Sequence, residues 1–257
     1  MHGYADDVVA SEARGLLALS DQFELELLRA AIRSGETSSV DALVAKLEAM
    51  FAADVRHGQE LAFTNQNARE LELGGFSKPA MSLYEIAWRS VKSSQDSGVR
   101  ETEQRTYDRA GVRLNLINSS MVIDGKRSDG SKLSWNDYHG KYVVVCFWES
   151  WNNGWREEVQ GMQATLAKYK DKPIELVTVN LDKPADLKNY LAKHPIDVPV
   201  VVGGEPNRSG TDSPVAIRYG VDMLPFTVLV GPDGNVQRIH VFGPHLAVAL
   251  ETVFGNE

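Results

Sequence analysis

The sequence predicts an α/β domain over residues 116–257, preceded by an all-α N-terminal domain over residues 1–115. Three features carry this reading. Up to about residue 115, apolar residues recur at helical spacing and no segment reads as a strand. From Leu114 onward, short β-branched runs alternate with helical segments, the pattern of βαβ units. Within that second half, Tyr142 to Trp148 is an unbroken apolar run, as expected of a central strand covered on both faces.

In the N-terminal part, Leu16, Leu19, Phe23, Leu27 and Leu28 mark one helical stripe, and Leu43, Leu47, Met50 and Phe51 another. Thr37, Ser38 and Ser39 ahead of Val40 and Asp41 read as a helix start. Breaks fall at Ser34 and Gly35, at Gly74 and Gly75, at Ser77 to Pro79, and between Ser93 and Gly98. Residues 68–75 followed by 80–84 resemble a tetratricopeptide-like helical hairpin. A repeat array needs about three such units, so a plain helical hairpin is expected. In the second domain the strand at 142–148 leads into a helix from Asn153 to about Lys170. A strand at 174–180, a helix at 185–193 and a short strand at 198–202 follow. The glycine-rich stretch 203–213 reads as a flexible polar loop, and 214–219 as a short helix. Strands at 226–230 and 236–242 form a hairpin around Pro232, Asp233 and Gly234. Residues 245–253 close the chain as a helix.

The segment Phe147-Trp148-Glu149-Ser150-Trp151-Asn152-Asn153-Gly154-Trp155-Arg156 resembles the active-site segment of thioredoxin-fold oxidoreductases, which leaves a strand and enters a helix. Other pieces in the same order strengthen the resemblance. They are Asp129-Gly130-Ser131, the 140–145 run, Arg156-Glu157-Glu158, Val179-Asn180-Leu181-Asp182, the 219–225 segment ending in Leu224-Pro225, and Gly231-Pro232-Asp233-Gly234-Asn235-Val236. Together they resemble the TlpA/ResA and peroxiredoxin-related (redoxin, AhpC-TSA-like) group over about residues 118–255. The resemblance implies a thioredoxin-like domain, a mixed central sheet flanked by helices. It also implies a cis peptide at Leu224-Pro225 and an extracytoplasmic location.

The same resemblance places Asn152 where the nucleophilic cysteine would stand and Trp155 where the resolving cysteine would stand. Thiol–disulfide exchange needs a thiolate, which neither an amide nor an indole supplies, so no catalytic residue is assigned. Asn152 or Asn153 is expected to cap the following helix. What the family's site retains is a surface that pairs with an extended peptide through the residue before the cis-proline. The candidate binding face is therefore Trp151, Asn152, Asn153, Gly154, Trp155, Leu224, Pro225 and Phe226. If Trp151, Trp155, Met223 and Phe226 are exposed together, they form an apolar patch of the kind that marks interaction sites. Inward-pointing aromatics would remove that patch.

Composition narrows the alternatives. The chain has 257 residues, 43% apolar and 24% charged, with a net charge of −8. That is ordinary globular composition, and the acidic balance argues against binding nucleic acid or anionic membrane. No apolar run approaches the ~20 residues of a membrane span. The first seven residues have neither the basic nor the apolar region of a secretory signal, and a mature chain whose signal was removed fits equally. The single cysteine, Cys146, excludes an intramolecular disulfide and a multi-cysteine metal site. The six histidines include no pair at helical i, i+4 spacing, so no metal is expected. No phosphate-binding or dinucleotide glycine motif is present, and no cofactor is expected. Glu149 on the active-site loop reads as a solvated carboxylate.

Three functional readings stay open. The leading one is a redox-inactive thioredoxin-like protein that binds a protein or peptide partner at the former active-site face. The alternative is a thiol–disulfide oxidoreductase or peroxidase using the lone Cys146. In the third, the domain has a purely structural role, with Trp155 buried under the N-terminal helices.

Overall fold

The computed structural model describes residues 23, 27, 30, 40–42, 44, 45, 58–152 and 154–255. The chain divides into two compact units, 1–107 and 108–257. The boundary read from the sequence at 115/116 lies slightly downstream, because the division falls inside a continuous helix, Ser97–Leu114. The helix start at Thr37 to Ser39 and the positions Leu16, Leu19, Leu28, Leu43, Leu47, Met50 and Phe51 lie outside the described residues. Phe23, Leu27 and Val40 are helical.

In the first unit α1 (Gly58–Leu73) and α2 (Ser77–Val91) form a hairpin. Gly75 adopts φ +83°, a conformation glycine takes without a Cβ penalty. The amide of Phe76 reaches the Leu71 carbonyl at 2.8 Å and that of Gly75 reaches Glu72 at 3.0 Å. This is the Schellman arrangement that stops a helix and satisfies its last carbonyls. Ala68, Leu71, Ala80, Leu83 and Ala87 are buried in the hairpin, and Tyr84 Oη donates to the buried Glu72 carboxylate at 3.0 Å. α3 (Ser97–Leu114) follows.

The second unit is built on one five-stranded mixed sheet. Its strands are β3 (Tyr142–Trp148), β4 (Ile174–Asn180), β5 (Val200–Val202), β6 (Phe226–Val230) and β7 (Val236–Ile239). A separate two-stranded ribbon, β1 (Gly125–Lys126) with β2 (Lys132–Leu133), precedes it. The order is β5-β4-β3-β6-β7, parallel through β5, β4 and β3 and antiparallel through β3, β6 and β7. The helices are α4 (Gly154–Leu166), α5 (Pro184–Lys193), α6 (Pro214–Arg218) and α7 (Pro244–Phe254).

β3 is apolar throughout because both of its faces are covered. Val143, Val145 and Phe147 enter one core with Val177, Val179, Phe226 and Val228. Val144, Cys146 and Trp148 enter the other with Trp155, Val159, Met162, Leu229 and Leu246. This period-2 split is the strand geometry itself. The expected ends of β3, β4 and β6 match the structure. β7 stops at Ile239, short of the expected residue 242, because His240 turns the chain with φ +57°.

Candidate functional site

The site lies where β3 and β4 end. The β3 to α4 loop is tied to the end of β4: the Ser150 amide donates to Asp182 Oδ2 at 3.0 Å. Asn180 Nδ2 donates to the same oxygen at 2.9 Å, and the Leu181 amide extends the parallel pairing to the Trp148 carbonyl at 2.9 Å. Gly204 packs against this corner so closely that a Cβ would overlap the Asp182 carbonyl. The expected flexible loop is thus seated on the sheet at its start.

Asn152 is the centre of the arrangement. Its Nδ2 donates to the Leu224 carbonyl at 2.8 Å, and its Oδ1 accepts from the Gly154 amide at 3.1 Å. One side-chain amide, both donor and acceptor, joins the start of α4 to the loop before β6. The helix-start role expected of Asn152 is what its Oδ1 performs, while Asn153 lies outside the described residues. The Leu224–Pro225 peptide is cis. Leu224, Pro225 and Met223 are half-buried, Gly154 is exposed, and Trp151 is 69% exposed.

The other two aromatics are not on the surface. Trp155 is 1% exposed. Its ring lies on Trp148 at a centroid distance of 3.6 Å and a 17° interplanar angle, with Tyr190 at 6.0 Å. Phe226 is also 1% exposed and packs on Phe147 at 6.0 Å and edge-on to His240 at 5.2 Å. The four-residue apolar patch therefore does not form: Trp155 and Phe226 belong to the two cores on either side of the sheet. Trp148 and Tyr190, which pack on Trp155, belong to the same unit.

The segment 220–225 is held by residues that the sequence did not single out. Arg113, fully buried, donates to the Gly220 carbonyl at 2.6 Å and to Asp222 Oδ1 at 2.7 Å. Gly220 has φ +65°, and a Cβ there would overlap the Arg109 carbonyl. No local pattern links Arg113 to Asp222.

The electrostatics of two groups follow from burial. Glu149 is half-buried, not solvated: desolvation raises its carboxyl above the ordinary range, a hydrogen bond with Trp151 opposes this, and the Asp182 carboxylate adds to it. Cys146 is 0% exposed. Desolvation pushes its thiol far above the usual range, and the Glu158 carboxylate pushes in the same direction. The unfolded chain begins to ionise this thiol near pH ~8.5 while the folded chain does not. Stability from this group is therefore intact below that pH and lost as pH rises through it, by about 1.4 kcal/mol per pH unit. Urea unfolding of wild type and Cys146→Ala between pH 7 and 10 checks this. The stability difference between the two is expected to fall above pH ~8.5, and a constant difference would show an accessible thiol. Among the described residues no group of three or more His, Cys, Asp or Glu is placed to hold a metal. No described helix is long and apolar enough to cross a membrane.

Comparison with known proteins finds a family resemblance over the same residues. Residues 120–239 match the model of the AhpC/TSA family. The thiol-disulfide oxidoreductase ResA of Bacillus thuringiensis subsp. konkukian is 30% identical over 111 residues, covering 42% of this chain and 59% of the relative. The chain thus spans about three fifths of that relative's length. The ResA of Bacillus subtilis is 27% identical over 159 residues, covering 53% of this chain and 85% of the relative. Among solved structures, the thioredoxin domain of a thiol-disulfide oxidoreductase from Bacteroides vulgatus is 26% identical. It aligns with a TM-score of 0.46 over 53% of this chain and 96% of that one. With the mixed sheet and its flanking helices, the segment 120–239 is similar to the AhpC/TSA family and carries a thioredoxin-like fold.

Proposed function

We propose that the thioredoxin-like domain is a redox-inactive binding module that takes an extended segment of a protein or peptide partner at the former active-site face. The observation that carries this reading is the chemistry of the two cysteine positions. One holds an amide already hydrogen-bonded to Leu224 and Gly154, the other a fully buried indole. The curated relatives are named for thiol–disulfide exchange, a reaction that needs a thiolate at the surface. The single thiol of this chain is buried in the sheet, which weighs against an enzyme working through Cys146.

The contact surface in this reading is Trp151, Asn152, Gly154, Leu224 and Pro225, with Asn153 joining by its place in the sequence. Trp155 and Phe226 act from beneath as the floor that fixes the two loops. Trp151 is the exposed aromatic, and tryptophan is over-represented among residues that dominate binding energy. An extracytoplasmic location goes with this reading on the strength of the family resemblance. Net charge −8 disfavours nucleic acid as the partner.

Two measurements test it. With dithiothreitol as electron donor, the protein is expected to reduce insulin disulfides no faster than buffer does. A rate well above buffer that disappears in Cys146→Ser would overturn redox inactivity. Reduced, carbamidomethylated α-lactalbumin, a permanently unfolded neutral-capped chain, is the binding probe. Trp151→Ala is expected to weaken its affinity by about ten-fold, the loss of ~1.4 kcal/mol typical of a strong aromatic contact. Equal affinity of the two proteins would remove the proposed face.

A further inference from the structure

We infer that Asn152 is a latch on the peptide-pairing edge: its side-chain amide occupies the Leu224 carbonyl that an incoming strand would use, so the free protein is held in a low-affinity state. The inference rests on the binding reading above and adds a regulatory contact to the same site.

Strand addition works by pairing the free N–H and C=O groups of an exposed backbone with those of an extended peptide. At Leu224 these two groups are not equivalent. Its amide has no acceptor among the described residues, whereas its carbonyl already receives Asn152 Nδ2 at 2.8 Å. The donor is not free to swing away at no cost, because the same side chain accepts from the Gly154 amide at 3.1 Å. Asn152 is further fixed by its backbone: its amide donates to the Glu149 carbonyl at 3.2 Å, and its carbonyl accepts from Trp155 at 3.2 Å. Trp155, stacked on Trp148, anchors the first turn of α4 to the core. The latch therefore projects from a rigid base onto the loop whose other end Arg113 holds. A carbonyl has two lone pairs, so the latch weakens pairing without abolishing it. A partner must exchange its own backbone N–H for the Asn152 amide, gaining less than it would at an unoccupied carbonyl.

Two variants separate the latch from the helix cap. Asn152→Ala removes both hydrogen bonds. Asn152→Asp keeps the size and an acceptor for the Gly154 amide but loses the donor, and at pH 7 its carboxylate repels the Leu224 carbonyl. Affinity for reduced, carbamidomethylated α-lactalbumin is expected to rise about five-fold in both. That is the equivalent of the ~1 kcal/mol net value of one hydrogen bond, at 1.4 kcal/mol per ten-fold. Hydrogen exchange of the amides of residues 221–224 and 226 is expected to quicken by a similar factor with no probe present. Unchanged exchange in both variants overturns the latch, whatever the probe does. Faster exchange with unchanged or weaker probe affinity overturns it too, because the opened carbonyl would then not be a pairing group. If Trp151→Ala binds the probe as well as wild type does, the binding face itself fails, and the exchange measurement still decides whether Asn152 holds the loop.

Discussion

Replacing Trp155 with alanine is expected to destabilise the thioredoxin-like unit by about 3–5 kcal/mol, the range for deleting a large aromatic side chain from a packed core. For a unit of this size that lowers the midpoint of its thermal transition by roughly 10 °C, which calorimetry would read directly. The expectation rests on a side chain 1% exposed, stacked at 3.6 Å on a fully buried Trp148 and flanked by Val159, Met162 and Tyr190. Trp155→Phe keeps an aromatic ring and should lose less, while Trp148→Ala combined with Trp155→Ala should be non-additive because the rings share one contact. A loss below about 1 kcal/mol for Trp155→Ala would show that the indole does not fill the core. The result also bears on chemistry. A resolving thiol must be small and reachable from the first position of the motif, whereas this side chain has been absorbed into the hydrophobic layer beneath α4. A cysteine placed at position 155 would leave the volume of the indole for the surrounding layer to close over.

The outline of the sheet was legible because turn residues bracket its strands. Gly140 precedes β3, Asp182 follows β4, and Pro232 to Gly234 separate β6 from β7. β7 ends before its sequence pattern does because nothing in the local sequence announces that a histidine will take φ +57°. At the site, motif position leaves open whether Trp155 is exposed or covered. Helical spacing decides it: Trp155, Val159, Met162 and Leu166 recur on one face of α4, the stripe of a core-facing helix. Phe226 likewise alternates with Val228 and Val230 onto one face of β6 and meets Phe147 there. Periodicity was the better guide in both cases, since burial follows from which face a residue occupies, not from what stood there in a relative. The contact of Asn152 with Leu224 joins residues 72 positions apart. Such a pairing has no signature in either local segment, and only the fold brings the two together.

Arg113→Ala is expected to destabilise the same unit by about 3–5 kcal/mol, the usual consequence of removing one partner from a buried charge pair. The guanidinium side chain is 0% exposed and its Asp222 partner 11%, at 2.7 Å, with the Gly220 carbonyl also satisfied at 2.6 Å. Most of the loss would come from what remains: a largely buried carboxylate and a buried carbonyl, each deprived of its charged donor. The pair itself need not be a net source of stability. Arg113→Met with Asp222→Leu removes both charges and is expected to recover most of the loss, as apolar replacements of buried ion pairs do. Urea unfolding of the two single variants and the double variant measures the coupling. A single variant within about 1 kcal/mol of wild type would refute the burial of the pair. The position of the pair explains why it sits where it does. Arg113 grips residues 220 and 222, and two residues later the chain presents Leu224 to Asn152. Loosening the grip should therefore also quicken hydrogen exchange through 221–226, even though no atom of Arg113 is bonded to Leu224. The 220–225 segment is thus held at one end by Arg113 and at the other by Asn152, so the variant that costs stability should also loosen the contact with Asn152.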